Sequence, residues 1–252
     1  MKAKAEQYEI MGMKTSATPE NYDPDPAKNP DLKVYQQIAA LKNLKPGTTY
    51  YYRVYTKSEK LSVKGSIYFF KTAPESSAPV NFALLSDLQQ KKQIPSTVRM
   101  IGRSNIDFIV YNGDLQNTPW KAGEWFPVEG CHHSDKTGKE WFTVMQQTGD
   151  GCRLLQYVPL FPCPGNHELT DQRVLTDKSF AKDKTKWDLS VYMQLFRPLY
   201  PEQRYKANGT HWYSADWGDV HLVSLSLEAS PSEGTSVQSS RPFRLLLPLW
   251  TS

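Results

Sequence analysis

The 252-residue sequence predicts a layered α/β domain preceded by a smaller, partial all-β module. Three stretches carry the first half of that reading. Asn81–Gln89, Ile106–Asp114 and Val158–Glu168 each run as an apolar segment and end in side chains able to hold a metal. Short apolar runs closed by Gly or Pro are the pattern of buried strands in layered α/β folds. Between the first two, Lys92–Ser104 sets Ile94, Val98 and Ile101 at helical spacing, as a crossover between parallel strands requires. The β-module rests on period-two alternation: Tyr50, Tyr52, Val54 and Thr56 share one strand face, and Tyr51, Arg53 and Tyr55 the other.

In chain order, residues 1–74 form the β-module, with a proline-rich polar loop from Asp23 to Asp31. Leu41–Tyr50, with its Pro46-Gly47 turn, leads into the Tyr51–Thr56 strand, and a second strand runs over Gly65–Thr72. The Tyr50–Tyr55 stripe is expected to pack inside a β-sandwich. Residues 75–80 read as a linker, 81–235 as the α/β domain and 236–252 as an atypical tail. Helices are expected over Lys139–Gln147 and Leu189–Phe196. Thr118–Gly138 is polar and turn-rich and reads as a surface excursion near the site mouth; its Trp120 and Trp125 either line a cleft or pack beneath the loop. His211–Asp219 and Val220–Leu227 read as two strands around a Gly turn, with His221 as a core histidine. His132 and His133 read as a solvated loop pair, His211 as a surface residue, and Asn208-Gly209-Thr210 as a turn.

Composition narrows the function classes. A hydrophobic content of 39% with 12% aromatics is enough to build a core, which argues against wholesale disorder. The net charge of +4 is small and the Lys and Arg residues are scattered, so no face is suited to nucleic acid. No 18-residue apolar run exists to cross a membrane, and the first residues lack the apolar centre of a signal peptide. The localisation stays open, with secretion of a longer parent protein among the alternatives. Cys131, Cys152 and Cys163 show no metal-type spacing; Cys131 and Cys152 either pair in an oxidising compartment or remain thiols.

Ligands in layered α/β folds collect at the carboxyl ends of the strands. Asp87, Asp114 and Asn166 would therefore meet on one edge as oxygen donors suited to divalent metals, with His167 beside them. Asp87-Leu88-Gln89, Gly113-Asp114 and Gly165-Asn166-His167-Glu168, in this order, resemble the first three motif blocks of calcineurin-like metallophosphoesterases. The β-module in front and Trp212-Tyr213-Ser214-x-Asp216-x-Gly218-x-Val220-His221 behind place the resemblance in the purple acid phosphatase-like branch. The front module itself, through Leu41-x-x-Leu44-x-Pro46-Gly47-Thr48-x-Tyr50, resembles the last strands of a fibronectin type III-like sandwich, a fold of about seven strands.

The resemblance implies a four-layer αββα sandwich, here incomplete, and hydrolysis of a small phosphate ester at two metal ions drawn from Fe, Mn and Zn. It implies that Asp87 binds the first metal, Asp114 bridges both, Asn166 binds the second, and His167 stabilises or protonates the leaving oxygen. Glu168 would orient His167 from behind. Gln89 and Asn117 are weak ligands or outer partners. Asn117 stands where purple enzymes carry a metal-binding Tyr, so no tyrosinate colour is expected.

The family's later blocks, a strand-end His and Gly-His-x-His, have no counterpart among the five histidines of this sequence. A chain shortened at both ends, or a shifted reading frame after about Ser236, would account for that. The alternative to an enzyme is therefore an inactive fragment, or a binding or interaction module lacking the later histidine ligands.

Overall fold

Two antiparallel strand pairs open the chain. In this computed structural model, which describes residues 2–13, 32–75, 78–89, 93–127, 140–146, 153–168, 189–200 and 212–225, β1 (Glu6–Ile10) pairs with β2 (Val34–Ile38), Ile10 lying opposite Val34. β3 (Thr49–Lys57) pairs with β4 (Ser62–Lys71), Tyr52 opposite Tyr68, with an irregularity between Arg53 and Tyr55. Among the described residues these are separate two-stranded sheets. Gly47 forms the turn into β3 at φ 56°, where a residue without a Cβ is at ease.

The tyrosine stripe differs from its sequence reading. Tyr50 and Tyr52 are half-buried, but Tyr51 and Tyr55 on the opposite face are 74% and 67% exposed. The covered side of the hairpin leans on the later chain. The Tyr52 hydroxyl donates to the Gln156 carbonyl at 2.9 Å, and Phe69 meets Tyr157 at 4.7 Å. β1 and β2 dock elsewhere, through amide side chains. Gln194 both accepts from the Met11 N–H and donates to the Met11 carbonyl, while Gln36 donates to the Leu195 carbonyl.

The centre of the fold is a parallel sheet in the order β5 (Phe82–Leu85), β6 (Phe108–Asn112), β7 (Leu160–Cys163). The crossover from β5 to β6 contains α1 (Ile94–Gly102), whose buried Ile94, Val98 and Ile101 lie at the helical spacing seen in the sequence. Pro95 near its start costs no hydrogen bond there. Because strand side chains alternate, β6 is covered on both sides. Phe108 meets Trp217 at 5.4 Å on one face, and Tyr111 meets Trp141 at 5.9 Å on the other.

Trp217 belongs to a hairpin of β8 (Tyr213–Trp217) and β9 (Val220–Ser224), turned at Gly218. Trp141 belongs to α3 (Trp141–Gln146), which packs with α2 (Ala122–Trp125) through Trp125. A short α4 (Ser190–Leu195) closes that side through Phe196, which meets Trp125 and Trp141.

Three further expectations need correction. β5 is not a fully buried strand: Phe82 and Leu84, which share one face, are 50% and 65% exposed while Leu85 on the other is buried, and among the described residues β5 is an edge of the sheet. Residues 118–126 are not a surface excursion. Every one of them is buried, and Trp125 sits in the aromatic cluster of α2 and α3. His221 is exposed rather than a core residue; it pairs across the hairpin with Asp216, Nδ1 to Oδ1, at 2.5 Å. Cys131, Cys152, His132, His133, His211, Asn208–Thr210 and the 236–252 tail lie outside the described residues. Among the described residues, no helix is long and apolar enough to cross a membrane.

Candidate metal centre

The parallel register brings the three motif loops to one edge. Leu85 stands opposite Tyr111, and Asn112 opposite Cys163, so the strands end level. The loops that follow are tied to one another by backbone hydrogen bonds. The Asp87 N–H donates to the Gly113 carbonyl, and the Gln89 N–H to the Asp114 carbonyl, each at 3.2 Å. The Ser86 hydroxyl meets both the Asn112 carbonyl and the Asp87 carboxylate. Asp87 is exposed at the rim, Asp114 is buried, and Asn166 and His167 are half-buried in the third loop.

The backbone of these loops is costly. Among the described residues, four other than glycine have a positive φ, and three of them are Asp87, Gln89 and Asp114. Left-handed geometry costs an L-residue on the order of 1–2 kcal/mol, which Asp tolerates better than Gln. Residues held this way cluster where function needs them. Two glycines let the loops close. A Cβ on Gly113 would stand 2.8 Å from both the N and the Cα of Gly165. A Cβ on Gly165 would collide with the Asp114 carboxylate and stand 2.8 Å from the Asp114 nitrogen.

Glu168 is the lock. It is fully buried, and its two carboxylate oxygens accept N–H groups from Asp114 at 2.8 Å, Leu115 at 2.7 Å, Gln116 at 3.3 Å and Gly165 at 2.7 Å. One carboxylate thus holds the second and third loops together. Burial pushes its proton affinity up, to a pKa of about 8, against the four N–H donors that favour the ionised form. The expected link from Glu168 to the His167 ring is not made. The ring is held instead by the Asn117 backbone carbonyl, 3.1 Å from Nδ1. A carbonyl only accepts, so Nδ1 carries a proton and Nε2 is the nitrogen left for the site. The His167 N–H donates to Asp114 Oδ1 at 3.1 Å, which fixes that carboxylate from the third loop. Burial also raises the Tyr111 phenol above its ordinary range, so no tyrosinate stands beneath the site.

The donor set suits a metal in type more than in number. Two carboxylates, an amide oxygen and an imidazole, presented on loops tied together at the strand ends, suit a divalent cation completed by water. Among the described residues no group of three or more His, Cys, Asp or Glu side chains comes together, so a cage built wholly from such side chains is not formed. Gln89 is half-buried in the first loop, and Asn117 contributes its backbone to the site, serving His167.

Sequence reasoning missed Glu124, whose buried carboxylate accepts the N–H groups of Asn117 and Thr118 at 3.1 and 2.9 Å. An acidic residue in a polar stretch reads as solvated; the surrounding Trp120, Trp125 and Phe126 were the available signal that this stretch is packed.

Comparison with known proteins agrees with the motif reading. The family model for calcineurin-like phosphoesterases matches residues 80–234. The chain is 27% identical over 194 residues to purple acid phosphatase 15 of Arabidopsis thaliana, covering 72% of this chain and 33% of that protein. It is 26% identical over 195 residues to purple acid phosphatase 21 of the same plant, covering 77% and 36%. It therefore spans about a third of the length of the curated relatives it matches. A solved purple acid phosphatase from yellow lupin (Lupinus luteus) seeds aligns with a TM-score of 0.51 at 15% identity, over 92% of this chain and 42% of that one, a likeness of fold. With the matched region covering more than half of its length, the chain belongs to the calcineurin-like phosphoesterase family, a family of hydrolases, with likeness to plant purple acid phosphatases.

Proposed function

We propose that this chain carries the first half of a phosphoester hydrolase site, with small phosphate esters as substrates. The observation that carries the reading is the tying together of three strand-end loops that present Asp87, Asp114 and Asn166-His167, with Asp87 and Asp114 in left-handed backbone. In this reading Asp87, Asp114 and Asn166 would hold the metal ions, Fe, Mn or Zn, with Asp87 serving a first ion, Asn166 a second and Asp114 both. When bound, they supply Lewis acidity to a phosphoryl oxygen and to water. His167, with Nδ1 committed to the Asn117 carbonyl, meets the leaving oxygen through Nε2. Glu168 and the two glycines keep Asp114 in place.

The same reading assigns residues 1–74 to a partial fibronectin type III-like module. Residues 81–235 become the first part of a four-layer αββα domain. The alternative, a binding module without turnover, is favoured by the lack of any group of three or more His, Cys, Asp or Glu among the described residues.

The deciding experiment measures metal per purified chain after incubation with Mn, Fe or Zn and removal of excess, beside hydrolysis of an aryl phosphate. Retained metal that disappears in Asp114→Ala, together with turnover, supports the enzyme. A folded chain that retains none sinks it in favour of the binding module.

A further inference from the structure

We propose that Glu124 is a positioning residue for His167, acting through the single peptide group that joins Asn117 to Thr118. The Thr118 N–H and the Asn117 C=O belong to that one planar unit. No peptide bond among the described residues is cis, so its N–H and C=O point in opposite directions. On one side Glu124 Oε2 accepts the Thr118 N–H at 2.9 Å; on the other, the Asn117 carbonyl meets His167 Nδ1 at 3.1 Å. A buried carboxyl group, a peptide and an imidazole therefore stand in series. Such chains strengthen each member, and most where the dielectric is low.

The consequence is chemical as well as steric. A carboxylate pulling on the N–H enriches the carbonyl oxygen, which makes it a better acceptor for an Nδ1 proton. Metal sites obtain the same effect by setting a carboxylate or carbonyl behind a histidine. Here the carboxylate works one peptide further back. The placement of Glu124 is itself well determined. The Glu124 N–H donates to the Lys121 carbonyl, the Lys121 N–H to the Thr118 carbonyl, and Gln116 Nε2 to the Glu124 carbonyl at 2.7 Å. Trp125, one residue on, is anchored by its indole N–H on the Pro119 carbonyl and is fully buried. Together Glu168 and Glu124 take up the N–H groups of five consecutive residues, Asp114 to Thr118, and of the two it is Glu124 that addresses the peptide holding the ring.

This deepens the hydrolase reading, yet its test needs neither metal nor turnover. The full chain, metal-free and labelled with 15N-histidine, is observed by ring nitrogen–proton correlation above the imidazole titration, with the His167 signals identified by their loss in His167→Gln. The wild-type ring is expected in the Nδ1–H form. In Glu124→Gln the ratio of Nδ1–H to Nε2–H is expected to fall severalfold, because a neutral amide polarises the peptide less than a carboxylate does. Glu168→Gln, which breaks the other carboxylate clamp but leaves the Asn117–Thr118 peptide alone, is expected to keep the wild-type ratio. A purely structural role predicts that both variants behave alike.

An unchanged ratio in folded Glu124→Gln overturns the proposal, as does a wild-type ring in the Nε2–H form, which needs no variant to observe. Should Glu124→Gln fail to fold, Glu124→Asp carries the same test, because it keeps the charge and shortens the reach. Failure of the chain to bind metal or hydrolyse esters overturns the function reading and leaves this result standing.

Discussion

Gly165→Ala is the most informative perturbation of the loop junction. The added Cβ falls 2.8 Å from the Asp114 nitrogen and against its carboxylate, while ordinary contact begins near 3.4 Å, so the backbone there must retreat by about 0.6 Å. It has little room to do so. The same nitrogen is held at 2.8 Å by Glu168, and the preceding Gly113 already packs so closely on Gly165 that a Cβ there would stand 2.8 Å from its backbone. Overpacking of this kind costs about 1–3 kcal/mol. Displacing Asp114, the residue expected to bridge the metals, should weaken Mn affinity on the order of 10–100-fold.

Equilibrium urea unfolding followed by tryptophan fluorescence reads the first effect, and calorimetric titration with Mn reads the second. Gly47→Ala serves as the control. It introduces a Cβ at positive φ, which Gly165 does not have, but its nearest neighbour is 3.9 Å away, so it should cost about 1 kcal/mol through the backbone alone and leave metal binding unchanged. A Gly165→Ala chain no less stable than wild type, or one that binds Mn as wild type does, refutes the argument that this glycine sets the carboxylate's position.

Two smaller tests bear on other parts of the structure. Glu168→Gln leaves one oxygen where two served four N–H groups, and it turns an NH2 toward donors; a loss of about 2–4 kcal/mol in urea unfolding is expected, and a loss below 1 would count against the lock. Tyr51→Ser, on the 74% exposed face of the β3–β4 hairpin, should change stability by no more than about 0.5 kcal/mol. A large loss there would restore the expectation that the tyrosine stripe packs inside a sandwich.

The elements that were legible in the sequence are those whose pattern follows from burial alone. The apolar runs before Asp87, Asp114 and Asn166 became the three parallel strands, and Ile94, Val98 and Ile101 became the buried side of α1. The loop residues were legible by type and order, because a strand that ends in Asp or Asn-His announces its chemistry.

What pattern does not reveal is who holds a residue in place. Glu168 looked like a partner for the His167 ring, being adjacent in sequence. It serves four backbone amides instead, since a 3-10 turn over Asn166–Glu168 aims its carboxylate back toward Asp114. Lys121 and Glu124 look solvated in a linear reading, and both are buried. The exposed Tyr51, Leu84 and His221 fail in the opposite sense: alternation predicts a face, not whether anything covers it.

The energetics of the junction separate its geometry from its ligands. Three left-handed residues cost a few kcal/mol together. Hydrogen bonds to a buried carboxylate contribute about 1.5–3 kcal/mol each, and Glu168 and Glu124 accept six such N–H groups between them. These contacts act against the strain from within the protein, through carboxyl groups already committed to backbone amides, while the raised pKa of Glu168 records what its burial costs. Loss of Glu168 is expected to loosen the Asp114 loop, loss of Glu124 to release the His167 ring, and loss of Asp87 or Asn166 to remove only a ligand.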